Sequence, residues 1–478
     1  MGCSASLVET NPLNQVEYTD EIDRSENYVA LSYCWGENSN VELTDEEDDP
    51  LYSGIHISAL PLTLGEAILA TRAMGIKYIW IDALCLVQVP KGSDEWLSEA
   101  SHMGEIYASA WCTIAALHGT HNGAGCFVTR DPQLLQPLTY NSLVTQNKFC
   151  VIDDALWHFA ITDAPLNKRG WVLQERLLSP RTVHFCANQV FWECAELVAC
   201  ESFPKGLPKE STRQGPDGKR IPENEYKIYL NETPRTLSVA YDRWYFIVEE
   251  FSRRGLKVKT DKLLAISGVT QKLLSTINDD PIAGLWSGHL PYGLAWSRAG
   301  HIPGKRPETY VAPSWSWASL EGEVEFLREA KGWVDMTTVV DCTTRPTKSP
   351  FGPLRSGTLT LRGPLLDLTV FRDNQQTFPR RPHPGWIKLG RMQFFADMVT
   401  WDVQSFGQFV GVQLYFTPLV YGNGVAARRG DMLAGLVLEP FRGKMRRVGL
   451  LCTAEHTGPI SEAIYHLQRF ALPEIVVV

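Results

Sequence analysis

Glu99 is the sharpest candidate for chemistry in this chain. Trp96, Ala100, Met103 and Tyr107 recur at i, i+4, i+7 and i+11, the apolar stripe of a helix that begins near Ser93 or Asp94. At about 100° per residue, Glu99 falls about 60° from the centre of that stripe, on the boundary between core and solvent. A carboxylate there can line a cleft. A solvated helix face is the competing reading, because Glu95, Ser98 and His102 flank it. The block RGWVLQER supplies the other charged candidates, Arg169, Trp171, Gln174, Glu175 and Arg176. If residues 171–177 are helical, Glu175 meets Trp171 at i, i+4, and Arg169 lies near the amino end, where the helix dipole disfavours a cation. Such an arginine calls for an anion. Two partners satisfy it: a phosphate of a dinucleotide, or Asp82 or Glu99 in a structural salt bridge.

These groups need elements to hold them. Residues 28–36, YVALSYCWG, form an apolar strand that ends in aromatic and hydroxyl groups before a glycine. A helix follows from Thr63, where Thr63 and Glu66 make a capping box, and Gly75 is placed to end it in a left-handed turn. Residues 76–81 are a short, continuous apolar run, the mark of a strand buried on both faces, with Asp82 at its carboxyl end. The helix carrying Glu99 comes next, and residues 113–116 form a third strand. Strand, helix, strand, helix, strand with short links predicts a parallel α/β sheet. Ligands of such sheets settle outside the carboxyl ends of the strands, which nominates Ser32, Tyr33, Trp35 and Gly36, then Asp82 with Cys85. Buried aromatics and a helix-capping aspartate would look the same.

Composition narrows the class. The 478 residues are 44% hydrophobic and 21% charged, as in an ordinary globular protein, and the net charge of -9 disfavours nucleic acid as a partner. The basic runs RRG near Arg253 and FRGKMRR near Phe441 read as solvated faces. Eleven cysteines without a CxxC pair fit reduced, buried thiols of an intracellular protein. His102, His118, His121 and His184 have no metal-ligand spacing, so no metal is expected. G-x-S-x-G, G-x-G-x-x-G and P-loop motifs are missing, which argues against a hydrolase triad and a Rossmann cofactor. No cofactor is expected. No apolar stretch reaches the length of a membrane span. Met1-Gly2-Cys3-Ser4-Ala5-Ser6 fits a myristoylation signal with a palmitoylation site at Cys3; an edge strand explains the same residues.

Residues 201–235, rich in Pro, Gly and Lys, read as a loop or insertion. Helical periodicity returns through Tyr241, Trp244, Tyr245, Val248 and Phe251 and ends near Gly255, while alternating strands dominate beyond Gly357. The expected organisation is an α/β core over 1–200, a loop insertion and helical extension over 201–330, and a β-rich region over 331–478.

The blocks YVALSYCWG, LPLTLGEAILATRAMGIKYIWIDALCLVQ, DEWLSEASHMGEIYASAWCTIAA and LNKRGWVLQERLLSPRTVHFCANQVFWEC, in that order, resemble the fungal heterokaryon-incompatibility (HET) domain. A weaker likeness continues through TDKLLAISGV, AGLWSGHL and APSWSWAS to about residue 320. The resemblance implies a TIR-like or flavodoxin-like core in a cytoplasmic effector of self/non-self recognition and programmed cell death, working with a protein partner or by self-association. HET domains are distantly similar to Toll-receptor-type domains, some of which cleave NAD with a glutamate. Trp96 followed by Glu99 resembles their motif, although the glutamate there usually stands four positions after the tryptophan, not three. NAD is thereby implied as a substrate, with Glu99 catalytic. A carboxylate near the ribose can stabilise the oxocarbenium-like state of N-glycosidic cleavage. A non-enzymatic module acting through oligomerisation is the alternative. Acylation at Gly2 and Cys3 would add membrane association.

Overall fold

A computed structural model describes residues 7–10, 15–19, 26–36, 41–44, 50–88, 94–136, 138–153, 155–208, 212–214, 220–222, 224, 226–299, 304–328, 333–347, 351–372, 385–389, 392–395, 399–402, 406–422, 432–453 and 472–478. Gly2 and Cys3 lie outside them, as do the side chain of Trp96 and most of the acidic loop before Pro50. The chain divides into two units: Met1–Pro234 with Arg254–Leu256 and Leu264–Gln271, and Arg235–Arg253 with Lys257–Leu263 and Lys272–Val478.

The first unit is built on a nine-stranded sheet. Its strands are β1 (Leu7–Thr10), β2 (Gln15–Thr19), β3 (Tyr28–Ser32), β4 (Ile55–His56), β5 (Tyr78–Trp80) and β6 (Cys112–Ala116), then, after a separate hairpin of β7 (Leu138–Asn141) and β8 (Lys148–Val151), β9 (Arg181–Phe185), β10 (Val190–Cys194) and β11 (Val198–Cys200). The spatial order is β11-β10-β9-β6-β3-β5-β1-β2-β4. β5, β3, β6 and β9 are mutually parallel. β1, β2 and β4 on one side, and β10 and β11 on the other, are antiparallel. The sheet is therefore mixed, where the sequence pattern predicts parallel pairing throughout. Taken in chain order, the four parallel strands lie 2-1-3-4, so the direction of winding reverses between β3 and β6.

β3 is central, and Val29, Ala30, Leu31 and Ser32 are all buried, as expected of a strand covered on both faces. The covering helices are α1 (Pro50–Ser53), α2 (Leu62–Ala73), α3 (Asp82–Cys85), α4 (Asp94–Ser109), α5 (Val172–Leu178) and α6 (Tyr226–Asn231). α2 stops where Gly75, at φ 75°, closes a Schellman turn: the Gly75 amide donates to Arg72 O and the Ile76 amide to Thr71 O. The capping box does not form. α2 is preceded by Pro61, and Thr63 and Glu66 are recruited by a distant loop: Gly125 N–H donates to Thr63 Oγ1, and the amides of Cys126 and Phe127 to Glu66 Oε2 at 2.6 and 2.7 Å. α4 buries Ala100, Met103 and Tyr107, the stripe its spacing requires. It also carries Gly104, where an added Cβ would lie 2.7 Å from the Cα of Gly268, at the start of helix Ser267–Ile277.

The second unit carries helix α7 (Leu237–Ser252), with Tyr241, Trp244, Tyr245, Val248 and Phe251 buried. Its main sheet has eleven strands, almost all antiparallel, around a core that includes Leu368, Ile387, Phe416, Val437 and Leu451. Of the ten described cysteines, all free, six are buried; Cys194, Cys342 and Cys452 are partly exposed and Cys150 is exposed.

Candidate functional site

At the carboxyl end of β3 the chain brings together groups far apart in sequence. Ser32 Oγ donates a short hydrogen bond to Glu175 Oε2 on α5. Both are almost fully buried, Ser32 3% and Glu175 7% exposed. Burial pushes the Glu175 carboxyl up to about 7; the Ser32 bond and the Arg169 charge oppose the rise, and the Asp82 charge adds to it. Tyr107, from α4, adjoins the same carboxyl and donates to Leu31 O at 2.9 Å. Asp82 begins α3 directly after β5. Its carboxylate accepts Trp35 Nε1 at 2.7 Å and the Ala83 amide at 2.8 Å, yet desolvation still raises it above the ordinary aspartate value.

Arg169 supplies the positive charge. Its Nη1 donates to Tyr33 O, and no ion pair within 4 Å joins it to a described carboxylate, so neither expected salt bridge, to Asp82 or to Glu99, is made. Its charge still favours ionisation of Asp82, Glu175 and Cys34. The backbone beside it is fixed. Gly170 N–H donates to Gly255 O and Gly255 N–H to Lys168 O, both at 2.7 Å, and a Cβ on Gly170 would meet Leu256 Cδ2 at 2.6 Å. With Asp82 and Glu175 ionised the trio carries one net negative charge; protonating Glu175 makes it neutral. A carboxyl near 7 is suited to take or give a proton at neutral pH.

Ser32, Tyr33, Trp35, Asp82, Arg169 and Glu175 thus form one cluster. Tyr33 and Trp35 stack with ring centroids 6.5 Å apart, and the buried Tyr33 hydroxyl lies beside the Asp82 carboxyl. Gly36, at φ 85°, turns the chain where a Cβ would strike His121 Cβ at 2.6 Å. Cys85 is buried beneath, its sulfur accepting the Ile81 amide. The rest of RGWVLQER points elsewhere, because each helical step turns a side chain by about 100°. Trp171 packs on Ala100 and Leu264. Gln174 Oε1 accepts the Gly268 amide at 3.2 Å. Arg176 forms a two-pronged pair with Glu193, both bonds 2.8 Å, and His184 Nε2 lies 3.0 Å from the same carboxylate. Glu99 is exposed on α4, two turns before Tyr107.

A cavity of about 420 Å³ opens outside the carboxyl ends of β6 and β9, lined by His118, Asp153, Phe159, Cys186 and Phe191 among others. Its floor belongs to the apolar cluster that also contains Cys34, next to Tyr33 in the chain. The sequence gives little sign of Asp153 or Phe159, which sit in a stretch without motif or periodicity. His118 was reachable, since it follows a parallel strand.

The fold and site define an α/β domain with a protonatable carboxyl cluster at its strand ends. Residues 28–175 match the family model for heterokaryon incompatibility protein (HET), so the chain carries a HET domain over that stretch. The matched segment starts at the first residue of β3 and ends on Glu175, and so contains every member of the cluster. Neither the curated proteins nor the solved structures gave a match. Among the described residues, no helix is long and apolar enough to cross a membrane.

Proposed function

We propose that this chain is a fungal effector of heterokaryon incompatibility, that it triggers programmed cell death in self/non-self recognition, and that its HET domain acts by cleaving NAD. The observation that carries the enzymatic reading is the meeting of Glu175, Asp82 and Arg169 at the carboxyl ends of β3 and β5. The 2-1-3-4 order of parallel strands supports a flavodoxin-like or TIR-like core, in which ligands bind where the winding reverses. In the proposed reaction the bond between ribose C1′ and the nicotinamide nitrogen breaks, and its electron pair neutralises the pyridinium ring. A water oxygen bonds to C1′, and the carboxylate takes the water proton. Products are nicotinamide, ADP-ribose and one proton. Arg169 would hold a phosphate, with Ser32, Tyr33, Trp35 and Gly36 at the rim, and Asp82 would stabilise the developing positive charge. Trp171, Gln174 and Arg176 would support the site from behind. The protein would work in the cytoplasm with a protein partner or by self-association, and at a membrane when acylated on Gly2 and Cys3.

Nicotinamide release from NAD by the concentrated full chain tests this. Glu175→Gln should lower it at least about 100-fold, while Glu99→Gln separates the two carboxylates. Activity lost only in Glu99→Gln would return the catalytic role to the α4 glutamate, and no release from the parent chain would end the enzymatic reading. The burial of Ser32 and Glu175 favours a second reading, a non-enzymatic module that signals by oligomerising. In that case Glu175→Gln changes stability and leaves cell killing intact.

A further inference from the structure

The basic run FRGKMRR does not form one patch. Arg446 pairs with Glu439 at 2.5 Å, Arg447 is fully buried against Asp402, and Arg442 lies over the Phe441 ring at 5.2 Å. Lys444 is set apart by the turn. Arg442 and Gly443 have φ of 50° and 76°, the two left-handed residues of a tight hairpin that pairs Phe441 with Lys444. This brings exposed Lys444 to a cavity of about 360 Å³ in the second unit.

Arg345 also lines it, together with several hydroxyls. In the pair of strands Thr338–Pro346 and Leu354–Arg362, Thr343 faces Thr358 and Arg345 faces Ser356, so alternate residues put all four at the cavity. The Thr343 and Thr358 hydroxyls are 3.2 Å apart, and Tyr310 adds a third kind of hydroxyl. Val478 closes one side, its oxygen accepting from the Ser314 hydroxyl and amide. Neither Arg345 nor Lys444 makes an ion pair with a described residue, and no Asp or Glu is among the lining residues. Two cations with no described ion-pair partner line a hydroxyl-rich hollow, beside the Val478 oxygen, in a chain of net charge -9.

We propose that this cavity binds a phosphate-bearing ligand. Arginine offers a planar fork of donors and lysine a compact charge, and hydroxyls can donate to the remaining oxygens of a tetrahedral anion. The volume suits a small phosphorylated molecule or a phosphorylated headgroup. The proposal is independent of NAD cleavage in the HET domain.

Calorimetric titration of the full chain with inorganic pyrophosphate, and co-sedimentation with phosphatidylcholine vesicles containing phosphatidylinositol 4-phosphate, test it. Binding to either probe should weaken at least about tenfold in Arg345→Gln and in Lys444→Gln, and vanish in the double variant. Arg355→Gln, on the strand paired with that of Arg345 but not among the residues lining the cavity, should change nothing. Binding to pyrophosphate assigns a soluble ligand; binding to vesicles alone assigns a lipid headgroup. Failure to bind either probe, or undiminished binding by the double variant, overturns the proposal. Unchanged thermal midpoints in the three variants would exclude misfolding as the cause of a loss.

Discussion

Glu175 and Glu193 are two buried glutamates of one domain, and they have opposite characters. Glu193 faces a two-pronged guanidinium from Arg176, with His184 on the same carboxylate, and is held well below the ordinary glutamate value despite the burial that opposes it. Glu175, the residue just before Arg176, has the Ser32 hydroxyl, Tyr107 beside it and the charge of an arginine that bonds elsewhere, and burial raises it to about 7. The difference lies in geometry. Both sites have an arginine, but only one arginine reaches its carboxylate. A fully matched pair is a structural device. A carboxyl left poised between its two forms is available for proton transfer.

Breaking the matched pair should have the largest effect. Arg176→Met leaves Glu193 charged and buried, and should cost about 3–5 kcal/mol in urea unfolding at neutral pH. A loss under about 1 kcal/mol would mean that the pair does not hold Glu193 down, and the contrast would collapse.

The pH dependence comes next, and the two groups have opposite signs. Glu175 binds its proton more tightly folded than unfolded, so between its unfolded value of 4.5 and about 7 the folded state holds more protons. Its contribution therefore erodes as pH rises through that window, by about 3 kcal/mol in all. Glu193 behaves conversely: its stabilisation is present above its unfolded value and is lost as acid protonates it. Glu175→Gln should flatten the fall in stability between pH 4.5 and 7 and leave the acid limb unchanged. Urea midpoints at half-unit steps would show this, and an unaltered slope would remove Glu175 as the poised group.

The smallest effect sharpens the comparison from outside. Lys168 and Asp163 approach to 2.5 Å, but both are largely exposed. Lys168→Ala should shift stability by less than about 0.5 kcal/mol, because solvent screens such pairs. A shift as large as that of Arg176→Met would show that proximity, and not burial, governs these charges.

What was legible in the sequence was local. Gly75 announced the end of α2, the stripe through Ala100, Met103 and Tyr107 announced α4, and the alternation of strand and helix announced an α/β sheet. Thr63 and Glu66 show where local reading fails: they satisfy the spacing of a capping box, but the amides they serve are about sixty residues away. The cluster was legible only as a set of candidates, since the Ser32 to Glu175 bond spans 143 positions and no periodicity encodes it. On paper Arg169 was the arginine that called for an anion, yet it is Arg176 that pairs with a carboxylate. Their difference depends on which strand each faces, and the antiparallel partner β10, which supplies Glu193, was not foreseen as part of the sheet.

The sheet order also bears on where the chain can be cut. A fragment trimmed to 28–175 would keep every member of the cluster but lose β1 beside β5 and β9 beside β6. Two inner strands would become raw edges, with unpaired amides and carbonyls open to any other chain. Glu175 would become a terminal residue, one peptide bond from a missing Arg176. The matched segment is thus smaller than the compact unit around it, which also takes in β1, β9 to β11 and the segments 254–256 and 264–271 that Gly170 and Gln174 bond.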